Sequence, residues 1–330
     1  MQPDRFYFEE SKKLWEEFRV LLETGHGPIE PNSKLISIAD DVIGIYEVYL
    51  DKSKFDPKQD YRSRWRKMTG LNDFVRKIMR SYKLPEFENV WPLAVHFLNE
   101  NSEIVQNDST PLGDEPANKL FELYMALLLL RFASNVGIDI GDGEEGKHPD
   151  LTFEFDGLKW AIECKTPGSG KVKTFKDKVL EGVKQIDEFK TPIDRGFVAL
   201  NMRNAIMHDD FWPIALNKEN GELIPIFWRN FHLAYDKLDT YRPSNQAIKE
   251  DFGGSEALNV VSQWNRARPF VLTLYNSTAN VLDDQGNERI GYFRTFDAIE
   301  FSASDPNFKK MDSLDTKLLK QLQEALHDKI

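Results

Sequence analysis

The sequence predicts an α/β (α+β) fold, a mixed central sheet flanked by helices, with a helical region at the N-terminal side. Three observations carry this. Two runs of alternating apolar and polar residues meet at Asp156-Gly157, the strongest short signal for a two-residue hairpin turn. An apolar helical run over Lys119–Arg131 precedes that hairpin, and an apolar strand-like run over Gly196–Arg203 follows it, with a helical stretch between. Residues 1 to about 110 read mainly helical.

The composition, 41% hydrophobic and 29% charged over 330 residues, suits a folded globular chain and argues against a disordered one. The net charge of −11 argues against a surface coated for nucleic acid, yet leaves room for a local basic patch. A single cysteine excludes an internal disulfide. No apolar run is long enough for a bilayer, and the acidic N-terminus does not read as a signal peptide. The expected compartment is the cytoplasm.

Taken in order, Ser11–Glu23 reads as an amphipathic helix. Lys34–Leu50 fits a strand or a buried helix, with helix preferred. Leu71–Ser81 and Phe87–Glu100 read as further helices. The polar stretch Asn101–Pro116 holds two prolines and a glycine. It divides the chain into a helical region, 1–110, and a second domain, 111–330. Within the first, Lys58–Lys83 carries nine basic residues against Asp60 and Asp73, with Tyr61, Trp65 and Tyr82 interleaved. Cations with aromatics suit a phosphate-tracking surface, with Arg62, Arg64 and Arg66 as candidate contacts. The same charges could equally form a helix face paired with acids elsewhere.

The helix over Lys119–Arg131 is apolar almost all round, so Glu122 within it is costly unless a partner or metal meets it. Next comes the hairpin. With Asp156-Gly157 as its loop, Phe155 faces Leu158, Glu154 faces Lys159, Phe153 faces Trp160 and Asp150 faces Glu163. Alternation places Leu151, Phe153, Phe155, Leu158, Trp160, Ile162 and Cys164 on one apolar face. The other face carries Asp150, Thr152, Glu154, Lys159, Ala161, Glu163 and Lys165. Two carboxylates opposite one another repel unless a cation lies between them. A hard divalent ion takes such oxygen ligands, and Lys165 on the same face could orient a water or meet charge on phosphorus.

Pro149-Asp150, followed thirteen residues on by Glu163-Cys164-Lys165, resembles the PD-(D/E)XK motif of the restriction-endonuclease-like nuclease superfamily. The resemblance covers roughly residues 116–204. It implies a core of helix, three-stranded meander, helix and further strands. It implies Asp150, Glu163 and Lys165 as catalytic residues, with Glu122 as the acid often added from the first helix. Mg²⁺, or Mn²⁺ in its place, would be held by Asp150, Glu163, Glu122 and the Cys164 backbone carbonyl. The implied activity is metal-dependent phosphodiester hydrolysis of nucleic acid, DNA ahead of RNA and endonuclease ahead of exonuclease, with restriction or anti-phage defence as the setting. Cutting both strands implies a homodimer, and accessory helices imply a regulatory partner. A nuclease fold that binds nucleic acid or protein without cutting remains the alternative.

Thr166–Lys171 lacks the first glycine and the Ser or Thr of a Walker loop. It reads instead as a loop bringing Lys171, Lys173 and Lys178 near substrate, before a helix over about 174–189. The superfamily often places a glutamine or basic residue on this helix, for which Gln185 and Lys178 are candidates. Residues 205–265 read as a helical, aromatic-rich insertion, followed by strands from Pro269 and Gly291 and an amphipathic helix over Ser313–His327. The histidines lack zinc spacing, and no Ser-His-Asp order or dinucleotide loop is present.

Overall fold

The computed structural model describes residues 4–5, 8–23, 44–45, 51–100, 114–139, 148–190, 192–241, 265–301 and 310–328. In chain order these form β1 (Asp4–Arg5), α1 (Phe8–Glu23), α2 (Arg62–Ser81), α3 (Phe87–Glu100), α4 (Asp114–Leu129), β2 (Ser134–Ile138), β3 (Leu151–Phe155), β4 (Leu158–Lys165) and α5 (Val172–Glu188). Then come β5 (Arg195–Asn201), α6 (His208–Phe211), β6 (Ile214–Leu216), β7 (Leu223–Pro225), α7 (Phe231–Asp239), β8 (Ala267–Leu282), β9 (Glu288–Glu300) and α8 (Ser313–Leu326).

Seven strands form one mixed sheet in the order β1-β9-β8-β5-β4-β3-β2. β2, β3 and β4 make an antiparallel meander, β5 joins parallel to both β4 and β8, and β9 returns antiparallel along β8. The β3–β4 register is the expected one, Phe155 opposite Leu158 and Phe153 opposite Trp160. Its cause is the turn: Asp156 and Gly157 both take positive φ, 55° and 79°, as a twist-matched two-residue turn requires. Gly157 does so without strain, and a short Asp is among the few other residues that tolerate it.

Helices cover both faces of the sheet. Phe197 and Ala199 of β5 pack with Trp160, Ile162 and Cys164 into a core shared with α1, α2, α3, α4 and α8. Val198 and Leu200, alternating with them, pack into a second core with α5, α6 and α7. Period-two alternation thus feeds two cores from one strand. Each fully buried side chain such as Trp160 or Phe197 contributes about 1.5–3 kcal/mol. α8 is locked on by its cap. Asp312 accepts from the Leu314 and Asp315 amides at 3.0 Å each, and Arg195 of β5 and Arg268 of β8 ion-pair with Asp312 and buried Asp315.

Two expectations change. Phe18, Met68, Phe74 and Trp91 of the N-terminal region belong to the same core as the hairpin, and β1 pairs with β9, so the core is not divided near residue 110. The described part of the 205–265 stretch adds to the expected helices an antiparallel β6–β7 hairpin between them, its loop closed by Gly221 at φ 75°. Residues 242–264 lie outside the described residues, as does most of Lys34–Leu50. No helix among the described residues is long and apolar enough to cross a membrane.

Candidate active site

Ordered strand ends bring three charged side chains to the end of β3 and β4. Asp150 stands just before β3, and its Oδ2 accepts the Cys164 amide at 2.7 Å, which fixes the carboxylate against β4. Glu163 and Lys165, two apart, share the polar face, and the Lys165 ammonium donates to Glu163 Oε1 at 2.5 Å. Both are buried, because α5 lies close over this end of the sheet. At Gly182 a Cβ would meet Val198 at 2.8 Å and Glu163 Cγ at 3.2 Å, so only glycine admits the helix at this distance. From the same helix Glu181 approaches Lys165 at 3.7 Å and takes Lys178 at 3.3 Å.

Glu122 enters from α4, 1% exposed, and its Oε2 accepts from Lys119, one turn back, at 2.9 Å. Lys119, its charge disfavoured by burial, also feels the Asp150 charge, which with Glu122 raises its pKa. Among the described residues no three His, Cys, Asp or Glu side chains converge as a metal cage. The expected quartet is instead a strand-end pair, Asp150 and Glu163, with Lys165 on it and a lysine-held Glu122 at its side.

The electrostatics are adverse to the acids. Burial, then the charge of Asp150, pushes both Glu163 and Glu122 up to about 8. Burial also raises Asp150, against the pull of Lys165. Burial disfavours the Lys165 charge, but Glu163 and Asp150 outweigh it and raise its pKa. Three carboxyls thus face two ammonium groups in a low-dielectric site, which leaves the cluster short of one positive charge when all are ionised.

Buried polar atoms without partners occur here and in other parts of the fold. Among the described residues, Thr166 Oγ1, Gln185 Oε1, Asn118 Oδ1 and Asn204 Oδ1 are buried with no hydrogen-bond partner, as are Asn72 Nδ2, Trp160 Nε1 and Asp328 Oδ2 elsewhere in the fold, while Glu163 meets the Asp150 carboxyl. Asn118 precedes Glu122 by one helical turn, Thr166 follows Lys165, and Asn204 donates to the Pro167 carbonyl at 3.0 Å. Asn118, Lys119, Thr166, Glu181 and Asn204 escaped the sequence reading. Only helical spacing from Glu122 and adjacency to Lys165 signal them.

Other expected contacts are placed as follows. Lys171 and Lys173 are exposed at the start of α5, while Lys178 is engaged with Glu181. Arg64 is exposed. Arg62 is clamped by Asp60 at 2.7 Å and the Trp212 carbonyl at 3.0 Å, and buried Arg66 meets Asp209 at 2.9 Å. Those two arginines anchor the 209–212 segment on α2, while Lys58, Arg64, Arg80 and Lys83 of the same stretch are exposed. Cys164 points into the apolar core, and burial raises its thiol well above the ordinary range, so it is no nucleophile. Comparison of the chain with protein-family models, curated proteins and solved structures found no match.

Proposed function

We propose that the chain is a metal-dependent nuclease hydrolysing phosphodiester bonds in nucleic acid, with DNA favoured over RNA and internal cutting over end trimming. One observation carries the reading. Half-buried Asp150 and buried Glu163 meet at a strand end, their side chains within hydrogen-bond reach, with Lys165 on the same face. The helix–meander–helix–strand order from α4 to β5 supports it as well.

The donors fit a hard divalent ion: all are oxygens, and the acids outnumber the local cations. Asp150 and Glu163 would hold Mg²⁺ or Mn²⁺, with Glu122 and the Cys164 carbonyl as further ligands. When bound, such an ion lowers the pKa of a water and offsets charge on the leaving oxygen. The chain's own residues do the rest. The Cys164 amide holds Asp150 in one orientation. Lys165, on a rigid strand, orients the attacking water and faces the charge that develops on the phosphate. α5 roofs Glu163 and keeps bulk water from weakening these interactions. Lys171 and Lys173 attract the phosphate backbone at the entrance. Double-strand cutting calls for a homodimer or a regulatory partner, and restriction or anti-phage defence is the setting in which such an enzyme serves.

A second reading has its own observation. The 2.5 Å contact between Lys165 and Glu163 satisfies part of the acid charge internally, as in a nuclease fold that binds without cutting. The test is incubation with plasmid, linear DNA, single-stranded DNA and RNA in Mg²⁺, in Mn²⁺ and in EDTA, beside Lys165→Ala. Metal-dependent cleavage lost in the variant is the expected result. No cleavage, with a gel shift that needs no metal, would replace the nuclease by the binding module.

A further inference from the structure

A second concavity shares no residue with the acidic strand end. A cavity of about 280 Å³ opens between the start of α2, the β6–β7 hairpin and the β8–β9 hairpin. That volume stands at the low end of small-molecule sites and holds one ring system. Five aromatic side chains line it: Phe55, Tyr61, Trp65, Trp212 and Phe227. Phe55 is 48% exposed, yet stacks on Tyr61 with centroids 5.3 Å apart and planes at 25°. A solvent-facing aromatic stack costs hydration in the free protein and offers a platform to another flat ring.

The charges select among flat ligands. Asp60 and Glu288 match Arg62 and Arg289 in number. Arg62 is already held by Asp60 and the Trp212 carbonyl, and Arg289 Nε meets Asp283 at 3.2 Å. An anion would meet cations already engaged. An alkyl chain would use the walls and leave the amides of Gln59 and Asn280 and the Glu288 carboxylate without partners. An uncharged planar ring with donors and acceptors on its edge uses both. Asn and Gln side chains pair with base edges, and aromatic rings stack on any base.

We infer that this cavity binds a nucleobase. Two sources supply that chemistry. A base displaced from a bound strand would make the cavity a reader of the substrate, which rests on the nuclease reading. A free nucleoside or nucleotide would make it an effector site, which does not.

The full-length chain is titrated with each common nucleoside, and with short single strands and duplexes carrying one unpaired base, following quenching of tryptophan emission from Trp65 and Trp212. Phe55→Ala and Ile214→Phe are run beside the wild type. The first removes the exposed platform without touching the core, and the second fills the space. We expect saturable quenching by at least one base, weakened about tenfold or more in both variants. Binding of free nucleosides assigns an effector, and binding of strands alone assigns a reader. Absence of quenching by every base in both forms, or unchanged affinity in Phe55→Ala, overturns the inference. Cleavage in Mg²⁺ without base binding would overturn the cavity's role alone, and base binding without cleavage would overturn the nuclease alone.

Discussion

Two clusters of buried charge lie in this molecule, and their carboxyls are shifted in opposite directions. On α2, Asp73 pairs with Arg294 and accepts from the Tyr124 hydroxyl at 2.7 Å. One turn on, Lys77 donates to the Ala325 and Leu326 carbonyls and to Asp328, at 2.9, 2.6 and 2.6 Å. The cation thus meets the negative end of α8. Burial works against the Asp328 carboxylate, yet Lys77 and Arg294 outweigh it and hold its pKa below the ordinary value. At the end of β4 the acids fare differently: burial and the Asp150 charge drive Glu122 and Glu163 up. The first cluster keeps the Asp328 carboxylate charged within the fold, although burial and then Arg294 pull the Lys77 ammonium down to about 8. The second leaves its carboxyls raised, the kind of perturbation that clusters at functional sites.

The comparison can be broken most sharply by removing one acid from each cluster. Asp150→Asn keeps an oxygen for the Cys164 amide but removes a charge from beside Glu163. Cleavage in Mg²⁺ should fall by about 10³-fold or more, as should that of Lys165→Ala. The melting temperature of metal-free Asp150→Asn should hold or rise, since a repulsion is gone. A variant that keeps full cleavage would remove the acid pair from the site. Asp73→Ala should do the reverse: it leaves Arg294 buried without its carboxylate and should cost about 3–5 kcal/mol in urea unfolding. A loss under about 1 kcal/mol would show that the α2 cluster is not the stabilising one.

Protons and metal should compete at β4. Glu122 and Glu163 have folded pKa values near 8 against an ordinary 4.5. The folded chain therefore holds protons that the unfolded chain has released. Their contribution is full below about pH 4.5 and is lost as pH rises toward 8. Mg²⁺ displaces those protons, so the rise in melting temperature on adding it should be larger at pH 8 than at pH 6, by a few degrees. An equal rise at both values would dissociate the acids from the metal. The smallest effect belongs to the entrance: Lys171→Ala with Lys173→Ala should raise KM a few-fold, leave kcat alone and flatten the salt dependence.

What could be read from sequence was what is local. The Asp156-Gly157 turn and two alternating runs settle the register, and with it the meeting of Asp150 and Glu163. The burial of Glu122 follows from the apolar run around it. Some cations of the basic stretch have remote partners: Asp209 lies 143 residues from Arg66, and Asp328 lies 251 from Lys77. A charge count along the chain cannot see such pairs. The β6–β7 hairpin was hidden by aromatics that suit helix, strand and core alike. Lys119 was in plain view but read as one end of an apolar helix, when its ammonium is what meets Glu122.

Cys164 has one more use, that of a clock. It is the chain's only cysteine, its thiol sealed in the core while its amide holds Asp150 on the other side of the strand. A thiol reagent can reach it only when the sheet beneath the acids opens. Its labelling rate therefore counts openings of the floor of the site with no mutation or dye introduced. Mg²⁺ or substrate that ties β3 to β4 should slow that count, and Asp73→Ala should speed it. A rate indifferent to all three would mean that the strand opens independently of the chemistry above it.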